Sequence, residues 1–226
     1  MIQVSTVILV HGAWANASAW TKVLPMLEAT GIEALAAQIP LTSLPDDAAT
    51  LRRAIALAQR PVLLVGHSYG GSVITEAGLD PKVVGLVYVA AFAPGAGESA
   101  GILAAGGPPT RLRDVARPDD QGFLNLTRVG VAEVFAQDLT DAEKALAYAT
   151  QGPLAVAALN GEVTNPAWRT RPNWYLRATE DRVIHPSLQE TMAKRIGATT
   201  IDVASSHVPM LSHSDAVVGL IRQAIG

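Results

Sequence analysis

Short runs of apolar, largely β-branched residues recur between turn residues along the 226-residue chain: Val4 to Val10, Pro61 to Val65, Val83 to Val89, Trp174 to Ala178 and Thr200 to Val203. Nearly every position in them is apolar, as in strands covered on both faces, where a half-exposed strand would alternate. Between these runs the apolar positions take helical spacing at Ala17 to Thr30, Asp46 to Gln59, Ser68 to Leu79, Pro186 to Ile196 and Asp215 to Ala224. Pro45, Asp46 and Asp47 give the second of these a start signal, since proline needs no amide donor in the first turn. Strand and helix alternate, which predicts a mostly parallel sheet flanked by helices. A further strand at Glu33 to Gln38 is Ala-rich and ambiguous.

From about Pro94 to Pro172 the pattern changes, opening on APGAGESAGILAAGGPPT and continuing in helix-like segments with no convincing strand. The expected helices are Leu124 to Phe135, Thr140 to Thr150 and Pro153 to Leu159, the second with Asp141 and Glu143 at its positive start. We therefore expect one domain, 1–226, with a core of 1–94 and 172–226 and a helical insertion at about 95–171. An insertion there would cover the carboxyl ends of the strands as a lid, where open α/β sheets bind ligands.

Composition narrows the function. With 17 Lys and Arg against 20 Asp and Glu, no basic surface is implied, so nucleic acid is not an expected partner. The absence of Cys removes disulfides, thiolate catalysis and Cys-based zinc sites, and fits a reducing compartment. The apolar run near the N-terminus is short and lacks a basic flank, and no 18 apolar residues run together, so neither a signal peptide nor a membrane span is expected. The expected location is cytoplasmic.

The sharpest chemical signal is Gly66-His67-Ser68-Tyr69-Gly70, which ends a strand-like run and passes directly into the helical SVITEAGL pattern. A G-x-S-x-G turn between strand and helix lifts its Ser above the sheet at a positive helix end, so Ser68 is the expected nucleophile. A Ser hydroxyl needs a base to take its proton and a third group to orient that base. Of five His residues, His67 adjoins the nucleophile and should point away, His11 suits a backbone role, and His185 and His213 read as surface or capping residues. His207 remains, in the loop SSHVPML after a strand, at the edge where Ser68 emerges. Asp181, in ATEDRVI, is the chosen acid. Glu180 is the alternative, though expected to be solvated or paired with Arg182, and Asp202 is placed at a strand end. Backbone N–H groups of Tyr69 and Ala13 are expected to form the oxyanion hole, with Gly12 allowing close approach.

Taken together, VILVHGAWANASAW, VGHSYGG, LVYVAAFAPGAGES, ATEDRVI and SSHVPMLSHSDAV make the chain resemble the α/β-hydrolase superfamily, and within it the small esterases grouped with plant methylesterases and hydroxynitrile lyases. The resemblance implies an α/β-hydrolase fold, a triad of Ser68, His207 and Asp181, an oxyanion hole at Ala13 and Tyr69, and no cofactor. Compared with larger relatives there is no room for a hairpin before the first strand, so a shortened sheet of about six strands is expected. Related lyases carry a polar Thr or Asn in place of Gly12, and one class carries Lys where Val208 stands. Lyase activity is therefore a secondary reading. The primary one is a carboxylesterase for small hydrophobic or aryl esters; a non-catalytic small-molecule receptor on the same fold is the rival. Trp14, Met210 and Phe123 are expected beside the substrate. A homodimer stays open, with no motif that decides it.

Overall fold

Residues with no polar side chain on either face are stable only in the middle of a covered sheet, and the apolar runs occupy that position. The computed structural model describes residues 4, 6–58 and 61–226. Its main sheet contains β1 (Thr6–Val10), β2 (Glu33–Ala37), β3 (Val62–His67), β4 (Val83–Val89), β8 (Asn173–Ala178) and β9 (Thr199–Val203). The order is β2-β1-β3-β4-β8-β9 and every neighbouring pair is parallel. All residues of β1 and β3 are buried, whereas the edge strands β2 and β9 leave several residues exposed. The ambiguous Ala-rich segment is thus a true strand, tolerated because an edge demands less apolar cover. Parallel strands bring all their carboxyl ends to one rim, which receives the loops beginning at His11, Ser68, Thr179 and Ala204.

The flanking helices run Leu44–Leu57, Gly70–Ala77, Pro186–Arg195 and Ser214–Ile225, close to expectation; Gln59, at the end of the expected second helix, lies outside the described residues. Expected as one helix, Ala17 to Thr30 is instead a 3₁₀ turn, Ala17–Trp20, and a short helix, Leu24–Glu28. Pro25 explains the break: without an N–H it belongs in a first turn, so the helix restarts beside it.

Between β4 and β8 the chain leaves the sheet, and here the all-helical expectation fails. β5 (Ala116–Pro118), β6 (Phe123–Leu126) and β7 (Leu154–Ala155) form a small antiparallel sheet. The turn before β6 uses Gly122 at φ +82°, and the Asp119 carboxylate accepts from the Gln121 and Phe123 N–H groups. Such turn chemistry favours a hairpin over the expected helix beginning at Leu124. Two short helices, Ala100–Gly106 and Leu112–Val115, precede this sheet; within the stretch expected as the helix Leu124 to Phe135, helical structure begins only after Thr127, whose hydroxyl caps the Gly130 N–H, and it ends in a π turn, Val131–Phe135. Pro153 to Leu159 likewise divides into β7 and the helix Val156–Leu159. The helix Asp141–Ala149 forms as expected, with a capping box between Thr140 and Glu143. Lys22 fastens this helix down: its ammonium donates to Glu143 at 2.6 Å and to the Leu211 carbonyl at 2.6 Å. Among the described residues no helix is long and apolar enough to cross a membrane.

Because Thr140 satisfies orphan amides at one helix start and none of that helix is fully buried, its loss should be felt locally. Thr140→Ala is expected to destabilise the Asp141–Ala149 helix by about 1 kcal/mol, seen as faster amide hydrogen exchange in that helix with exchange in β1, β3 and β4 unchanged.

Candidate active site

β3 ends at His67, and Ser68 follows in a left-handed backbone conformation at φ +53°. A side chain there is strained, so the surroundings must over-determine it. They do: the Ser68 N–H donates to the Val89 carbonyl, and the Ser68 carbonyl accepts from the Gly71 and Phe92 N–H groups. Close packing holds the turn as well. A Cβ on Gly70 would lie 2.6 Å from the Val10 carbonyl oxygen, and one on Gly12 would lie 2.6 Å from Ser68 Cβ. Only glycine lets the loop after β1 approach the serine this closely.

The Ser68 hydroxyl lies 2.7 Å from His207 Nε2, and His207 Nδ1 lies 2.7 Å from Asp181 Oδ2. With a carboxylate on one side and a hydroxyl on the other, the consistent neutral tautomer has Nδ1–H donating to Asp181 and Nε2 accepting from Ser68. Asp181 Oδ1 accepts from the Val183 and Ile184 N–H groups at 2.7 and 3.0 Å, and Oδ2 also accepts from Gln189 Nε2 at 2.8 Å. All three side chains are buried. The loops that carry them are joined: the Thr179 N–H donates to the Val203 carbonyl, the Glu180 N–H to the Ser205 carbonyl, and Asp138 of the insertion accepts from the Ser206 N–H. Glu180, the alternative acid, is exposed. Its expected partner Arg182 instead donates to the Glu133 carbonyl, because the side chain reaches across to the insertion. Asp202 pairs with Arg177 at the edge of the sheet.

Among the described residues, neither the Ala13 nor the Tyr69 N–H donates to a protein acceptor, and both residues line the same cavity of about 490 Å3 as Ser68. The walls are apolar, from Trp14, Phe92 and Val183 on the core side and Leu112, Leu124 and Leu154 on the insertion; Arg113, Asn160 and His185 add polar groups. Trp14 therefore stands where expected. Its indole donates to the Leu124 carbonyl at 2.9 Å. Met210 and Phe123 do not line this cavity. Met210 lines a separate hollow with Phe135 and Leu146. Phe123 faces a surface hollow beside Pro40 and Pro153, since alternation along β6 sends Leu124 inward and its neighbour away.

A family model described as the alpha/beta hydrolase family matches residues 7–220. The chain belongs to the alpha/beta hydrolase family. An alpha/beta hydrolase of Aspergillus novofumigatus is 30% identical over 97% of this chain and 96% of its own length, and a pyrethroid hydrolase of Sphingobium wenxiniae is 25% identical over 92% and 83%. Among solved structures, a pyrethroid hydrolase from Sphingobium faniae superposes with a TM-score of 0.84 at 23% identity, covering 98% of this chain and 97% of that one. Polyneuridine aldehyde esterase superposes equally well, at 0.84 and 20% identity, covering 98% and 100%.

His11 and His67 of this hydrolase bind backbone groups, while His185 and His213 stand at helix starts. His11 Nε2 accepts from the Ile39 N–H while Nδ1 faces the Gly12 carbonyl, so the ring ties down the loop that carries Ala13. Burial holds its pKa down at about 4. His67 donates through Nε2 to the His207 carbonyl at 2.7 Å, supporting the loop from below; burial and then the neighbouring His207 push its pKa well down. His185 accepts from the Ser187 N–H at a helix start, and His213 precedes the last helix. Among the described residues no three His, Asp or Glu side chains are grouped to hold a metal ion. Sequence reasoning missed Gln189, which braces Asp181, and Phe135, whose ring packs edge-on 5.3 Å from that of His207. Gln189 lies among other polar helix residues and carries no distinguishing signal, and Phe135 is one of several apolar residues at helical spacing in the insertion.

An imidazole buried neutral binds its proton less readily than it does in the unfolded chain. Its stabilisation is full above about pH 6.5 and is lost as the pH falls toward 4. For His11 the loss is about 3 kcal/mol; His67 adds to it, while Asp47, raised to about 6 by burial, offsets part. Urea unfolding at pH 7 and pH 4.5 should show a clear drop in stability, and a smaller drop in His11→Gln.

Proposed function

We propose that the chain is a cofactor-free serine carboxylesterase acting on small hydrophobic or aryl esters through an acyl-enzyme. The observation that carries the reading is the row from Ser68 through His207 to Asp181, with its 2.7 Å contacts, beside a cavity lined also by Ala13 and Tyr69, whose N–H groups have no protein acceptor among the described residues. In this reading His207 Nε2 takes the Ser68 proton as the hydroxyl oxygen attacks the ester carbonyl. Asp181 holds the tautomer and stabilises the imidazolium. Negative charge on the carbonyl oxygen is met by the Ala13 and Tyr69 N–H groups, which were fixed before the reaction began and need no reorganisation. His207 then protonates the leaving alkoxide, releasing the alcohol. A water, deprotonated by the same nitrogen, attacks the acyl carbon; the bond to Ser68 Oγ breaks, Oγ takes the proton back from His207, and the carboxylic acid leaves.

The likeness to proteins named as pyrethroid hydrolases and as an esterase supports this reading. The apolar cavity favours uncharged ester groups, and its volume suits a compact acyl and alcohol pair. Lyase chemistry is disfavoured by Val208, an apolar and buried side chain beside His207 where a cationic group would be needed for cyanide.

Ser68→Ala is expected to lower kcat for p-nitrophenyl acetate by on the order of 10⁴-fold or more, with the fold preserved by circular dichroism. A fluorophosphonate probe should label the wild type at Ser68 and leave the variant unlabelled. Near-normal turnover in the variant would reject the serine mechanism; labelling without turnover on a panel of esters graded in acyl and alcohol size would favour the receptor.

A further inference from the structure

Asp47 is a fully buried carboxylate that the acyl-transfer steps do not use. It sits in the first turn of the helix Leu44–Leu57 and accepts two hydrogen bonds, from the Tyr69 hydroxyl to Oδ2 at 2.7 Å and from the Leu41 N–H to Oδ1 at 2.7 Å. Burial raises its pKa to about 6, against the pull of the Tyr69 and Leu41 bonds. Leu41 is itself in a left-handed conformation, at φ +60°, and its carbonyl accepts from the Ala155 N–H of β7 at 2.9 Å. One carboxylate therefore joins the serine turn, the loop after β2 and the insertion.

Tyr69 is the residue whose N–H would meet the oxyanion. The two residues after it, Gly70 and Gly71, have no side chains with which to fix the backbone, because a Cβ on either would strike a carbonyl oxygen of a neighbouring strand or loop. The Ser68–Tyr69 peptide is held at its Ser68 carbonyl by the Gly71 and Phe92 N–H groups and at its other end by the Tyr69 side chain, whose hydroxyl donates to Asp47. We propose that Asp47 is a positioning residue for ester hydrolysis, acting through the Tyr69 hydroxyl to aim the Tyr69 N–H at the developing oxyanion. The proposal rests on the serine esterase reading above.

The experiment compares Tyr69→Phe, Asp47→Asn and the double variant. It measures kcat and KM for p-nitrophenyl acetate, and Ki for an aryl trifluoromethyl ketone, whose carbonyl carbon bonds to Ser68 Oγ while its oxygen becomes an oxyanion facing the same two N–H groups. Outright loss of an oxyanion donor costs about 100-fold or more; misdirection of one should cost less. Each single variant is expected to lower kcat about tenfold and raise Ki similarly, with KM within about twofold. The double variant should be no worse than the singles, as for two groups acting through one bond. A side chain that merely stabilises the fold would lower the melting temperature and leave kcat and Ki alone. Folded single variants with wild-type kcat and Ki, or losses that multiply in the double, would overturn the proposal. If Tyr69→Phe fails to fold because Asp47 is left short of a donor, Asp47→Asn and the double variant decide: a lowered kcat with unchanged KM supports the proposal and a wild-type kcat refutes it. Turnover surviving in Ser68→Ala would instead defeat the serine reading itself, a result distinct from either.

Discussion

The arrangement depends on one strained residue. Ser68 occupies a left-handed backbone conformation that a residue with a Cβ seldom adopts, and three backbone hydrogen bonds, to β4, to the loop after it and to the following helix, keep it there. The strain projects its hydroxyl above the rim of the sheet instead of into the helix that follows. The parallel order β1-β3-β4-β8 then does the rest, since every strand delivers its carboxyl end to the same rim. His207 and Asp181 arrive from β9 and β8, and the loop after β1 arrives on the opposite flank, admitted by Gly12.

Burying so many polar side chains at one rim is costly unless each finds partners. The solution here is layered. Asp181 accepts from two backbone amides, Gln189 and His207; Gln189 is in turn held through the Ala178 N–H and the Ile184 carbonyl. His67 and His11 are kept neutral by burial; His67 Nε2 donates to the His207 carbonyl, and His11 engages the Gly12 carbonyl and the Ile39 N–H with its two ring nitrogens. His67 leaves Nδ1 without a partner, beside the place where a Cβ on residue 12 would sit. The site thus has a second layer that fixes where the first can stand.

Much of this was legible in the chain itself. The buried strands announced themselves because a covered strand needs apolar residues at every position, and the serine turn because its glycines and flanking patterns meet steric demands that few sequences satisfy. His207 and Asp181 followed from the rim they had to share. The insertion was misread because short strands there carry the same leucines and phenylalanines as amphipathic helices; the discriminating signal was Asp119 and Gly122, which favour a turn. Met210 and Phe123 were misplaced for a different reason: nearness in sequence to a catalytic loop or lid says nothing about which way a side chain faces. Asp47 and Gln189 were unreadable, since a polar residue in a helix is ordinarily solvated and only the tertiary contacts reveal that these two are buried.

The Trp14 indole bond to the Leu124 carbonyl ties the loop bearing the Ala13 amide to a strand of the insertion. A roof fastened to one wall of the reaction chamber cannot lift away freely. Together with the Asn16 amide, which donates to the Thr150 carbonyl, the indole bond makes the placement of the Ala13 amide and the seating of β6 one mechanical unit, so that displacing either strains the other.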